Sequence, residues 1–175
     1  EELEQLKFIP TISEFVEWIQ EKWHNLPALS DTVSTCTYAK MCNDIAHKRA
    51  LLNSLGLQKG DKVAILDNAT PDAVEMFLAV TSAGYVAINL PSQLPEQAVI
   101  GSCLKFDVKV LAYGDTFGKI AELVPCNTLR INELGNDIAQ PLSGIQNHHI
   151  PLCRAHTLIG LTILQQHSDF FHQQL

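Results

Sequence analysis

The chain has 175 residues, 46% of them hydrophobic and 18% charged, with a mean hydropathy of +0.07. That is enough apolar material for one domain with a sizeable core and is not the composition of a disordered chain. A formal net charge of -7 and a pI near 5.4 argue against a surface that holds nucleic acid or an anionic membrane.

The five cysteines, Cys36, Cys42, Cys103, Cys126 and Cys153, are odd in number and form no C-x-x-C pair. A disulfide framework or a zinc ribbon is therefore not expected, and they read as reduced thiols of an intracellular protein, cytoplasmic in the simplest case. No stretch supplies the roughly 18 consecutive apolar residues of a transmembrane segment, and the opening EELEQLKF lacks the make-up of a secretion signal. The first residue is Glu, not Met, which reads as a trimmed or incomplete gene product.

Along the chain, residues 11 to 23 predict a short amphipathic helix. Thr11 and Glu14 have capping-box spacing, and Ile12, Phe15, Val16, Ile19 and Trp23 share one face. Pro27 to Thr35 predicts a short edge strand or hairpin, with β-branched Thr32 and Val33 among turn residues. A helix over 38–55 follows, capped by Thr37, with an apolar stripe of Tyr38, Met41, Ile45, Leu52 and Leu55. It stops at Gly56 followed by Leu57, the Schellman pattern. Lys59-Gly60-Asp61 turns into Val63 to Leu66, an apolar run suited to a strand buried on both faces.

Thr70 caps the next helix, with Pro71 at its first position and Asp72 and Glu75 placed to favour the positive end of the dipole. Val74, Phe77, Leu78, Val80 and Thr81 form its broad packing face, and Gly84 ends it. A strand over Val86 to Leu90, a helix from about Pro95 to Lys105, a strand over Val108 to Ala112, a shorter helix over Thr116 to Val124 and a strand over Thr128 to Ile131 complete the series. Strands alternating with helices at this spacing predict an α/β fold: a partial parallel sheet with helices on both faces.

The composition changes at Gln146. Beyond it Arg154 and Asp169 are the only formally charged side chains, and five of the seven histidines fall there. The expected organisation is an αβ subdomain over residues 1–145 and a divergent tail over residues 146–175.

Three groups of residues deserve weighing as sites. Gly114 to Gly118-Lys119-Ile120 is one residue short of a Walker loop and has Ile where Ser or Thr would hold magnesium; a strand-to-helix turn accounts for both glycines. Asp67, Asn68 and Thr70 lie where open α/β sheets bind ligands, but helix capping explains Asn68 and Thr70, and Asp67 repels an anion. His148, His149, Cys153 and His156 are metal-ligand types within nine positions, in a spacing that matches no zinc template. No nucleophile elbow or Ser/His/Asp arrangement is present. No catalytic, cofactor-binding or metal-binding residue is assigned.

The run from Thr37 to Gly114 carries one further signal. Thr37-Tyr38 opens a helix, Lys-Gly-Asp-Lys-Val-Ala-Ile (Lys59 to Ile65) enters a strand, Thr70-Pro-Asp72 opens a helix, and Ala-Gly-Tyr-Val-Ala-Ile-Asn-Leu (Ala83 to Leu90) leads into the next strand. This succession resembles the start of the adenylate-forming (AMP-binding) superfamily of acyl-CoA synthetases, peptide-synthetase adenylation domains and luciferases, over roughly Ile12 to Gln146. The stretch from Val86 through Pro95 is closer to acyl-CoA synthetases.

The resemblance implies the first αβ layer of the adenylate-forming N-terminal domain. It also implies that full-length relatives use ATP and magnesium to turn a carboxylic acid into an acyl-adenylate and then pass the acyl group to coenzyme A or a carrier thiol. Relatives hold the triphosphate with a Gly/Ser/Thr-rich loop ending in Pro-Lys. Here the sequence after Gln146 has neither that run nor a lysine beyond Lys119. The expectation is a truncated ligase, its tail altered by frameshift, intron read-through or splicing, inactive alone and holding no cofactor. The alternative is a non-catalytic binding or dimerisation module that self-associates through an apolar sheet face left uncovered. A stand-alone nucleotide-binding domain is disfavoured by the lack of a Gly-rich first turn.

Overall fold

The computed structural model describes residues 11–32 and 34–132. Helix α1 (Ile12–Trp23) begins with the expected capping box. The Thr11 amide donates to the Glu14 carboxylate at 2.8 Å while the Thr11 hydroxyl accepts from the Glu14 amide at 3.2 Å. The expected hairpin is present as β1 (Pro27–Ser30) and β2 (Thr35–Thr37), paired antiparallel. Thr32 falls in the connecting loop and not in a strand, because Asp31 uses its carboxylate to accept from the Ser34 amide and closes the turn there. Val33 lies outside the described residues.

Helix α2 (Tyr38–Ser54) is capped by Thr37, and Gly56, at φ +73°, donates its amide to the Asn53 carbonyl to end it. Strand β3 (Lys62–Leu66), helix α3 (Pro71–Ser82), strand β4 (Val86–Leu90), helix α4 (Glu96–Lys105), strand β5 (Val108–Tyr113), helix α5 (Gly118–Ala121) and strand β6 (Asn127–Arg130) follow. The helix predicted over Thr116 to Val124 is shorter than expected: a 3-10 turn over Asp115–Phe117 leads into the four-residue α5.

Strands β3 to β6 form one sheet in the order β4-β3-β5-β6, and every pair is parallel. Alternation along the strands splits their side chains between two cores. Val63, Ile65, Val110, Ala112, Leu129 and Ile131 pack with α1, α2 and α3, whereas Ala64, Leu66, Leu90 and Leu111 pack with Val99 and Cys103 of α4 and with Phe117 and Ala121. Val108 and Leu111 share the second core despite their odd spacing. The pairing of β3 with β5 slips at this point, from Lys62 opposite Val108 to Val63 opposite Val110, and the extra residue, Lys109, restores the alternation.

Helices of the chain itself therefore lie against both faces of the central strands. The large apolar side chains exposed among the described residues include Val86 on β4, Leu104, Phe106 and Leu123. Among the described residues no helix is long and apolar enough to cross a membrane.

One expectation about charge is overturned. Glu75 does not sit at the exposed start of α3 serving the dipole; it is buried, with its carboxylate 2.6 Å from the Lys48 ammonium of α2. Lys48, 2% exposed at its side chain, also reaches Asp72 at 2.8 Å. Lys48 occupies the helical stripe of Met41, Ile45 and Leu52 at the position where an apolar residue was due. Residues 75, 76, 79 and 80 form the buried face of α3, which brings Glu75 inward with Met76.

Candidate functional site

The sheet order places a switch point at the carboxyl ends of β3 and β5. After β3 the chain turns into α3, on the side of the first core; after β5 it turns into the 3-10 segment and α5, on the side of the second. Adjacent parallel strands whose connections leave in opposite directions open a crevice between their following loops, the usual ligand position in such sheets. The residues there are Asp67, Asn68 and Thr70 after β3, Gly114, Asp115 and Thr116 after β5, and Arg130 and Asn132 at the end of β6.

The two loops are laced together. The Gly114 amide donates to the Leu66 carbonyl at 3.0 Å, and Asn68 Nδ2 donates to Thr116 Oγ1 at 3.5 Å. Thr70 carries two duties. Its hydroxyl donates to Asp67 at 2.6 Å and accepts from the Ala73 amide at 3.1 Å, so the cap of α3 and the position of Asp67 are fixed together. Asp115 accepts from Arg130 Nε at 2.7 Å and from Asn132 Nδ2 at 2.9 Å, which ties the far side of the rim to β6.

Asp67 fills the crevice. A Cβ built on Gly114 would lie 1.9 Å from Asp67 Oδ1, so the space that a side chain at position 114 would take is held by the carboxylate. A triphosphate does not fit these residues: the crevice presents Asp67 and Asp115 in place of converging amides and a lysine. Lys119, the lysine of the phosphate-loop lookalike, is exposed on α5, while Phe117 is buried in the second core. The segment is a strand-to-helix turn.

The other sequence candidates lie elsewhere. His148, His149, Cys153 and His156 are outside the described residues. Among the described residues no group of three or more His, Cys, Asp or Glu side chains is arranged to hold a metal ion. What the sequence reading missed is the charge cluster between α2 and α3. Burial pulls Lys48 down, but its hydrogen bonds to Asp72 and Glu75 outweigh this and hold its pKa above the ordinary lysine value. Burial raises Glu75, and Lys48 opposes that only in part because Asp44 and Asp72 add negative charge nearby. Lys40 pairs with Asp44 at the outer end of the same row. The signal was present: a lysine and a glutamate each at a buried helical phase. The Lys48–Glu75 pair at its centre is buried between the helices, while Asp72 and Lys40 reach solvent, and the cluster suits structure, not turnover.

Comparison with known proteins gives the wider setting. Residues 16–146 match the family described as AMP-binding enzyme. The mouse (Mus musculus) long-chain fatty acid transport protein 6 is 35% identical over 88 residues, which cover 49% of this chain and 14% of that protein. The N-terminal subdomain of NpsA from Klebsiella oxytoca, solved with 3-hydroxyanthranilyl-AMSN, superposes with a TM-score of 0.66 at 21% identity, covering 79% of this chain and 34% of that one. A fatty acyl CoA synthetase from Mycobacterium tuberculosis superposes with a TM-score of 0.60 at 23% identity, covering 65% of this chain and 23% of that one. The two structural likenesses establish a shared fold, and the chain spans a minor part of each of these proteins.

Proposed function

Since this chain belongs to the AMP-binding enzyme family, in the N-terminal region of its large domain, we propose that residues 1–145 serve as the first αβ layer of an ATP-dependent acid-thiol ligase. In that reaction a carboxylate attacks the α-phosphorus of ATP, pyrophosphate leaves, and a thiol then takes the acyl group from the adenylate. Magnesium and coenzyme A belong to the same proposal, as does a fatty acid as substrate, which is supported by the likeness to the mouse fatty acid transport protein. Residues 146–175 are a divergent tail in this reading, and the free thiols of Cys36, Cys42, Cys103 and Cys126 accord with an intracellular, cytoplasmic setting.

The role of this layer is structural. The observation that carries this is the Asp67 carboxylate seated over Gly114 at the switch point, where an anion-binding layer would present amides. The 175-residue chain is expected to give no ATP-pyrophosphate exchange with fatty or aromatic acids, measured by incorporation of labelled pyrophosphate into ATP. Exchange above the protein-free background that is lost on boiling would overturn the reading.

Self-association is the second reading, favoured by Leu104 and Phe106 at the end of α4 and Leu123 beyond α5, which are 63%, 41% and 52% exposed. Such a contact uses these helix ends and not a bare sheet face. Size-exclusion chromatography with light scattering is expected to give a discrete dimer that Leu104→Glu converts to monomer. A wild-type chain that stays monomeric at the highest soluble concentration rejects it.

A further inference from the structure

Two buried cations stand next to each other on α2, and only one of them is matched. Lys48 meets two carboxylates of α3, whereas Arg49, 5% exposed, makes no hydrogen bond and no ion pair among the described residues. A guanidinium keeps its charge at any pH the fold survives, and a buried charge is ordinarily paired. Among the described residues no side-chain nitrogen or oxygen is shut off from both solvent and a partner. The small exposed part of Arg49 therefore includes its guanidinium nitrogens, which face a narrow opening while the rest of the side chain is covered.

A second donor stands one helical turn further along the same face of α2. Asn53 is four positions on from Arg49, and its Oδ1 accepts from the Tyr85 hydroxyl at 2.8 Å. That bond orients the amide and leaves Nδ2 as a donor without a partner among the described residues. Tyr85 immediately precedes β4, so this place lies toward the amino ends of the parallel strands, away from the crevice at their carboxyl ends.

We propose that Arg49 and Asn53 form a binding site for a small carboxylate anion, held by the guanidinium fork with Nδ2 as a further donor. Shape and charge select the class of anion. A carboxylate presents two oxygens in one plane, which a guanidinium meets with two parallel N–H bonds, and its single charge matches the single unpaired cation. Burial holds the Arg49 pKa below the ordinary arginine value, and the exposed Glu17 carboxylate of α1 opposes this through its charge without pairing with it. A dianion such as phosphate meets more repulsion from Glu17 than a carboxylate does.

The test labels the full chain with nitrogen-15 and replaces sodium chloride with sodium acetate at constant ionic strength and mildly acidic pH. The Arg49 Nε–Hε signal, assigned by its disappearance in Arg49→Lys, and the Asn53 side-chain amide are expected to shift together and saturate. The Arg130 signal, whose Nε is already bonded to Asp115, is expected to stay in place. Arg49→Lys keeps the charge without the fork, and Asn53→Ala removes the further donor, so each is expected to weaken acetate binding several-fold. Three results overturn the proposal: an Arg49 signal that fails to saturate with acetate, phosphate that saturates it at lower concentration than acetate does, or equal acetate binding by Arg49→Lys and the wild type. The titration is read on the wild-type chain, so it decides the matter even where a variant folds poorly.

Discussion

Replacing Lys48 with Met is expected to lower the stability of the fold by about 3–5 kcal/mol, the usual cost of removing one partner from a buried ion pair. For a domain whose whole stability is roughly 5–15 kcal/mol, that is enough to unfold a large share of molecules at 37 °C. The cost is not the loss of attraction alone. Glu75, 3% exposed at its side chain, would be left as a buried carboxylate without its cation, while Asp72, 46% exposed, can turn to water. The double variant Lys48→Met/Glu75→Leu is expected to recover most of the loss, since two well-packed apolar side chains replace the pair without desolvating a charge. Asp72→Asn is expected to cost less than about 1 kcal/mol, as for a solvent-screened pair. Urea unfolding of the three variants measures all of this, and a Lys48→Met cost in the same low range would show that the pair is not a buried unit.

The pH dependence follows from the directions of the shifts. The folded pKa of Lys48 is raised, so its contribution is fully present below the ordinary lysine value of 10.5 and is lost as pH rises through the folded value. Glu75 is raised as well. Its contribution is present below the ordinary value of 4.5 and lost as pH rises through its folded value, so at neutral pH its ionisation weighs against folding. In Lys48→Met that weight grows. The gap between variant and wild type is therefore expected to narrow on acidification from pH 7, as Glu75 takes up a proton, and to narrow again above pH 10.5.

Gly114→Ala is expected to destabilise the chain by about 1–3 kcal/mol, the range for forcing added volume into a filled space. The new methyl group would overlap Asp67 Oδ1, which must swing away from Thr70 and weaken the cap of α3. The overlap involves a side chain, not the backbone, so it can be relieved by a second change. Asp67→Ala alone loses the bond to Thr70, but in the Gly114→Ala background it also removes the clash. A double-mutant cycle is therefore expected to show a favourable coupling of about 0.5–3 kcal/mol. Strict additivity would mean that Asp67 does not occupy the crevice.

These two sites show how unevenly the sequence discloses its structure. Thr11, Thr37 and Thr70 cap helices at the positions their side chains announce, and Gly56 and Gly84 terminate helices with φ of +73° and +86°. The contacts that make those signals lie within three or four residues, so they can be read without knowing the fold. Strand β3 was legible as a continuous apolar run, Val63 to Leu66, because a sheet covered on both sides requires one. The hairpin strands were placed less well, since β-branched Thr32 suggested extended structure where the Asp31 turn prevailed. Glu75 was misplaced for a related reason: its nearness to the helix start is local, but its partner Lys48 is 27 residues away.

The sequence by itself determined the kind and order of the elements, the α/β class and the family, because capping, turn geometry and hydrophobic period act over a few residues. Tertiary structure alone decided the strand order β4-β3-β5-β6 and the switch point it creates. It also decided the seating of Asp67 over Gly114 and the burial of Lys48 with Glu75. Each of these depends on which elements the two cores bring together across 20 residues or more, and no local rule of spacing carries that information.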